Sequence, residues 1–351
     1  MKSKILWVLT LFCVCVTFIA GCGSQASPSS TTPTATPTET KPAVKMAGVF
    51  STPIEEPWPN VIHQALDKVA KENGFQYDMT ENIGYTDFER VLRDYCQRGY
   101  TFIVGDSFGN EEVTRRVAKD YPKIAFCFGS ELGPVEPNYS VFDNWIIEPA
   151  YLCGMIAGKL TKSNVIGLVA EFDIPEVNRI ANAYVTGAKE VNPNITVKGT
   201  YIGSFYDPPK AKEAALGVIE AGADIMFALP YGVIEACAEK KIPVFGNIHD
   251  QSSLAPEFVI TGPVWDMYPT IKAAVEAFKA DFWQALDYGE WSFMRKGGSF
   301  LAPYHDWETK LSQEIKDMVK TRTQEILDGK FRVPNDEQTI RFNELTITPT
   351  S

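Results

Sequence analysis

Aromatic rings and carboxylates recur together in short segments that directly follow apolar runs of this chain. Trp58 stands in Ser51-Thr-Pro-Ile-Glu-Glu-Pro-Trp58-Pro-Asn60, Asp106 and Phe108 in Gly105-Asp-Ser-Phe-Gly-Asn110, and Asn144 in Asp143-Asn-Trp145. The pattern returns in Glu171-Phe-Asp-Ile-Pro-Glu176, in Gly203-Ser-Phe205-Tyr206-Asp207-Pro208 and in Gly246-Asn247-Ile-His249-Asp250, and Trp265 follows a late apolar run. Flat rings beside carboxylates and amides give a planar heterocycle faces to stack on and acceptors for its N–H groups. A sugar also stacks on tryptophan, so the preference for a planar base is modest. A hydrogen bond to a charged acceptor contributes about 1.5–3 kcal/mol, so two or three would set a ligand's orientation. Each ring has an alternative role as a packed core aromatic, and Asp207-Pro208 also reads as a helix N-cap followed by proline at the first helical position.

Catalysis has little support. The chain has no G-x-S-x-G, H-E-x-x-H or P-loop sequence, and His63, His249 and His305 lack metal-ligand spacing. His249 and Asp250 are adjacent, so their side chains point apart, and no nucleophile accompanies them. Gly105-Asp-Ser-Phe-Gly109 does not fit a dinucleotide fingerprint. No enzyme activity, cofactor or metal is expected.

The elements that must carry these segments alternate short apolar runs with amphipathic stretches, the mark of βαβ units around parallel sheets. Met46–Phe50, Phe75–Thr80, Thr101–Val104, Lys123–Phe128 and Tyr139–Asp143 read as strands, with helices at Asn60–Glu72, Thr86–Arg98, Glu111–Asp120 and Glu148–Leu160. The rhythm restarts with strands Val165–Val169, Thr196–Ile202, Asp224–Leu229 and Pro243–Gly246 around helices Glu176–Glu190, Pro208–Glu220 and Val233–Lys240. A strand at Val259–Val264, a helix at Tyr268–Leu286, a hairpin-like stretch at Trp291–Phe300 and a helix at Trp307–Leu327 follow. This predicts an α/β fold with two doubly wound parallel sheets, whose ligands sit outside the carboxyl ends of the strands.

Lys2 and Lys4 precede the apolar stretch Ile5–Ala20, which is shorter than the roughly 20 residues a bilayer span needs. It leads to Phe18-Ile-Ala-Gly-Cys22, similar to a bacterial lipobox. Residues 1–21 are therefore expected to be a signal peptide, and Cys22 a diacylated N-terminus at the extracytoplasmic face of the cell membrane. Residues 22–44, rich in Ser, Thr and Pro, read as a tether. The formal net charge of −11 argues against nucleic acid as a partner. Cys96, Cys127, Cys153 and Cys237 read as buried free thiols, with no pairing assignable from sequence.

Three stretches carry a resemblance to a known family: Glu148-Pro-Ala-Tyr-Leu-Cys-Gly-Met-Ile-Ala-Gly-Lys-Leu-Thr161, Ile174-Pro-Glu-Val-Asn-Arg-Ile-Ala-Asn-Ala-Tyr184 with Gly187-Ala188 and Val191-Asn-Pro193, and Asp207-Pro208 with Glu213-Ala-Ala215 and Gly222-Ala-Asp224. With the loops above, they resemble the basic membrane protein family of ABC-transporter substrate-binding lipoproteins, which includes the purine nucleoside receptor. The resemblance implies a type I periplasmic binding protein: two Rossmann-like lobes joined by a multi-strand hinge, interlaced as 45–162 with 251–296 and 163–250 with 297–345. It implies a monomer that binds a purine base or nucleoside and delivers it to ABC permease subunits. The alternatives are a sensor of the same fold, reporting its ligand to a signalling receptor, or a receptor for another flat heterocycle or a sugar. By this resemblance Trp58 stacks on the base, and Asn182 and Asp250 approach the cleft beside Asp106, Phe108, Asn144, Glu176, Phe205, Asn247 and Trp265. Nucleoside-binding members carry a lysine near the position of Trp265, and both branches carry an aspartate in the first loop, where this chain has Glu55-Glu56. The missing lysine favours a free base or another flat ligand over a nucleoside.

Overall fold

A computed structural model describes residues 44–342. The signal segment, Cys22 and nearly all of the expected tether lie outside the described residues, as do residues 343–351.

The chain opens with β1 (Lys45–Val49), α1 (Pro57–Asn73), β2 (Gln76–Thr80), α2 (Phe88–Gln97), β3 (Phe102–Asp106), α3 (Glu111–Asp120), β4 (Ala125–Gly129) and β5 (Tyr139–Phe142). The strands pair in parallel in the order β2-β1-β3-β4-β5. After α4 (Ile147–Leu160) come β6 (Val165–Ala170), α5 (Pro175–Val191), β7 (Thr196–Tyr201), α6 (Pro208–Glu220), β8 (Ile225–Ala228), α7 (Val233–Lys240) and β9 (Val244–Phe245). They form a second parallel sheet, β7-β6-β8-β9. The inner strands are continuous buried runs, as expected where helices cover both faces of a sheet.

Both sheets reverse direction beside their first strand, β1 in one and β6 in the other, so each has a switch point where the loops of neighbouring strands diverge and leave a crevice. Val49 pairs with Thr80 on one side and Gly105 on the other, which brings the loops after β1, β2 and β3 to one level.

Two lobes result, and the chain passes between them through short connections. Ser292 Oγ donates to the Asp143 carbonyl at 2.6 Å, joining the passage after β5 to a later segment. β10 (Pro263–Trp265) leads into α8 (Tyr268–Lys279), which packs on α1, and antiparallel β11 (Ser299–Leu301) leads back to α9 (Gln313–Leu327), which packs on α4.

Two stretches sit in the opposite lobe from the one expected. α4 packs along α5 so closely that a Cβ on Gly154 would lie 1.9 Å from the Tyr184 carbonyl oxygen, and one on Gly187 would lie 2.0 Å from that of Tyr151. The first crossing therefore falls at about residues 143–146, before α4. Residues 258–261 run beside β9, with Val244 N donating to Phe258 O and Gly246 N to Thr261 O, so this stretch extends the second sheet.

Local differences from the sequence expectation have visible causes. α8 ends at Lys279 because Asp281 takes a positive φ of 57° and the chain turns so that Trp283 packs on Phe102, Phe278 and Tyr288. Trp291–Phe300 is not a hairpin: its two short helical turns precede β11, whose partner is β10. Asp207 is the N-cap of α6, its carboxylate accepting from Lys210 N at 3.1 Å. The four body cysteines are buried and free.

Candidate functional site

One cavity of about 50 Å³ lies between the lobes at the carboxyl ends of both sheets. The first lobe contributes Ser51, Thr52 and Glu56 from the loop after β1, Trp58 from the first turn of α1, Tyr85, and Asp106 and Phe108 after β3. The second lobe contributes Glu171 after β6, Glu176, Val177 and Ile180 from α5, Phe205, Leu229, and Asn247 with Ile248 after β9.

Trp58 is placed by local chemistry. Pro57 and Pro59 start α1, where a missing N–H costs nothing, so the indole is committed to the helix's first turn at the mouth of the sheet. Its ring meets Phe108 edge-on at a centroid distance of 5.4 Å and lies near-parallel to Phe142 at 6.5 Å. Gly129 makes room for it, since a Cβ there would approach Trp58 Cζ2 to 2.8 Å. On the far side, Phe205 tilts against Phe172 at 4.6 Å.

The polar part of the wall is acidic. Burial pushes Glu56 up to about 8, opposed by the Trp58 backbone N–H and reinforced by the charge of Asp106. Burial likewise pushes Asp106 up to about 7, although its carboxylate accepts from Phe108 N at 2.9 Å. Glu176 rises to about 7, by burial first and then by the charge of Asp143, with Arg179 pulling the other way. Glu171 is held well above the usual carboxylate range by burial and by Glu176 and Glu56. Three wall atoms, Trp58 Nε1, Glu171 Oε2 and Asn247 Oδ1, are buried without a hydrogen-bond partner within the protein. Such groups are costly unless something else satisfies them. The arrangement offers stacking faces, one indole donor and several acceptors to a small solute. Among the described residues, no His/Cys/Asp/Glu group is arranged to hold a metal ion.

Of the residues singled out in the sequence, Trp58, Asp106, Phe108, Glu176, Phe205 and Asn247 border this one cavity. Asn144 lies just behind the wall, fully buried, with its Oδ1 3.5 Å from Arg179 and its amide beside Glu176. Three others are placed elsewhere. Asn182 donates to the carbonyls of Asp336 and Gln338, holding the C-terminal strand of chain along α5, because helical periodicity turns it away from the face that bears Glu176 and Ile180. Asp250 is an exposed carboxylate paired with His305 at 2.7 Å. Trp265 is 1% exposed and packs behind Trp58, with its Nε1 donating to Ser292 Oγ at 3.0 Å.

Sequence reasoning passed over Tyr85, which follows β2 and was findable by the same strand-end rule. Val177 and Ile180 carried no signal, since apolar residues on a helix normally face the core. Beneath the wall, Arg179 forms a buried pair with Asp143 at 2.5 Å, reaches Glu337 at 3.6 Å and lies 4.0 Å from the centre of the Trp145 ring.

A family model described as ABC transporter substrate-binding protein PnrA-like matches residues 44–291. The chain is 31% identical over 77% of its length to a putative ABC transporter glucose-binding protein of Haloferax volcanii, covering 68% of that protein. It is 26% identical to a purine-binding protein of Brucella abortus, over 78% of each chain. Among solved structures, an ABC transporter solute-binding protein from Aeropyrum pernix superposes with a TM-score of 0.71 at 20% identity, over 84% of this chain and 94% of that one. With two Rossmann-like lobes closed on an aromatic, acidic cavity, the chain belongs to the Bmp family of PnrA-like ABC transporter substrate-binding proteins, which bind solutes and are not enzymes.

Proposed function

We propose that the protein captures a purine base, or a flat heterocycle of similar shape, and hands it to an ABC permease while anchored to the membrane through a lipid on Cys22. The observation that carries this reading is the meeting, around one cavity, of the Trp58, Phe108 and Phe205 rings with the unpartnered acceptors Glu171 Oε2 and Asn247 Oδ1. A base would stack on the rings and donate its N–H groups to those oxygens. The purine-binding relative supports the same class. Among the described residues, no lysine borders the cavity to hold a ribose, which favours a free base over a nucleoside.

The cavity volume is about a third of the ~150 Å³ known to accept a single benzene ring. A bicyclic base therefore enters only if the lobes part or wall side chains swing aside, and capture by closure follows. Tyr85, 60% exposed, is the most exposed residue of the wall.

A sugar is the second reading, favoured by the glucose-binding relative and by the ability of Trp58 to stack on a pyranose. Isothermal titration with adenine, hypoxanthine, adenosine and glucose, together with mass spectrometry of solute retained through purification, tests the two. The proposal expects a base to bind most tightly; tight glucose binding with no response to bases would overturn it. For the anchor, mass spectrometry of the cell-expressed chain should find acyl mass on Cys22, and its absence would remove that part.

A further inference from the structure

Among the described residues, four carboxyl side chains, Glu56, Asp106, Glu171 and Glu176, border the cavity, while no lysine or arginine does. They come from separate places: the loop before α1, the ends of β3 and β6, and the first turn of α5. Among the described residues, no three of them are arranged to hold a metal ion. A second observation points into that space: Asn247 is 3% exposed, borders the cavity, and leaves its Oδ1 without a partner. The cation beneath the wall, Arg179, is already engaged by Asp143 and Glu337.

A neutral base suits such a wall only in part. Its unprotonated ring nitrogens are acceptors, and once Glu56, Asp106 and Glu176 have ionised, as they do through about pH 7 to 8, those nitrogens would face oxygens that can only accept. Protonating or alkylating a ring nitrogen removes that conflict, and the positive charge is then attracted both by the carboxylates and by the faces of Trp58 and Phe108.

Building on the heterocycle reading above, we propose that the cleft selects, among flat heterocycles, those whose ring carries a positive charge. The charged and titratable groups facing this space or lying against its wall are Glu56, Tyr85, Asp106, Glu171 and Glu176, with Glu111, Glu131, Asp143, Arg179 and Glu337 around them and Tyr231 and His249 near the second-lobe rim. Since Glu56 titrates at about 8 and Asp106 and Glu176 at about 7, the wall gains negative charge as the pH rises through neutrality. Affinity for a fixed cation should rise with it.

The test is calorimetric titration of the purified full chain with two shape-matched pairs: nicotinamide against the 1-methylnicotinamide cation, and adenine against the more basic 1-methyladenine. The charged or more basic member should bind roughly 10-fold tighter near neutral pH, as charge-assisted contacts exceed neutral ones. The affinity for 1-methylnicotinamide should increase between about pH 6 and pH 8.5, and Glu176→Gln should shrink the charged-to-neutral ratio; if that variant fails to fold, Asp106→Asn serves instead. Equal or tighter binding of the neutral members, or a cation affinity flat with pH, overturns the charge selection while leaving the heterocycle reading standing. If no member of either pair binds and glucose does, the heterocycle reading falls and this proposal falls with it.

Discussion

Trp58 and Trp265 lie with ring centroids 4.7 Å apart and planes tilted by 44°, yet only Trp58 borders the cavity. The two indoles thus have separable roles, one as a wall and one as its support. Trp58→Ala should weaken binding of a stacked base by about 1–3 kcal/mol. Trp265→Ala removes a fully buried ring and should cost about 3–5 kcal/mol of stability, with any loss of affinity following from the disturbed Trp58. Denaturant unfolding and titration calorimetry on both variants separate these effects.

The Arg179–Asp143 pair is buried on both sides, at 3% and 8% side-chain exposure. Removing only the cation leaves a carboxylate without compensation in a dry site. Arg179→Met should therefore destabilise by about 3–5 kcal/mol, and adding Asp143→Leu should restore much of that loss. Chemical denaturation of the single and double variants checks the sign of the second step.

Carboxyls raised by burial make stability depend on pH in a definite direction. Glu56 ordinarily titrates near 4.5 and is pushed up to about 8, so between those values the folded chain holds a proton that the unfolded chain has lost. Stability must then fall as the pH rises through that window and level off above it. Glu56→Gln should flatten the slope by about 1–3 kcal/mol across the range. Thermal melts of both proteins at about pH 5.5 and pH 8.5 measure it, and a slope of opposite sign would show that other groups dominate.

Asn182 and Asp250 lie outside the cavity wall, and variants there should act on structure rather than on the ligand. Asn182→Ala removes two hydrogen bonds to the chain at residues 336–338, costing about 1–2 kcal/mol, and should speed amide exchange of that stretch. Asp250→Ala breaks an exposed pair with His305 and should change stability by less than about 1 kcal/mol. Neither should shift the affinity for a base more than about twofold, since neither side chain lines the cavity.

Gly154 and Gly187 let α4 and α5 touch backbone to backbone. A methyl group on either has no flexible neighbour to displace, only backbone atoms of the facing helix. Gly154→Ala should cost about 1–3 kcal/mol or more, visible as a lower denaturation midpoint, while Gly217→Ala, where a Cβ meets nothing within 4 Å, should be neutral or stabilising.

The order of strands and helices along the chain was legible without coordinates, because apolar runs with two-residue or 3.6-residue periods report which faces must be buried. So was the convergence of several loops, since loops at the carboxyl ends of parallel strands have a common destination; Trp58, Asp106, Phe108, Glu176, Phe205 and Asn247 border one cavity. The direction of an individual side chain within that region depended on tertiary packing. Trp265 has the same composition signal as Trp58, but the Ser292 hydroxyl and the Trp58 ring close over it. Asn182 shares a helix with Glu176, but the 100° step per residue and the waiting carbonyls of the C-terminal segment turn it outward. The points where the chain changes lobes also had to come from the fold, because α4 is apolar nearly all round and could have been buried against either sheet until Gly154 and Gly187 met α5 and α4. Periodicity reports that a face is buried, and only the packed partner determines what buries it.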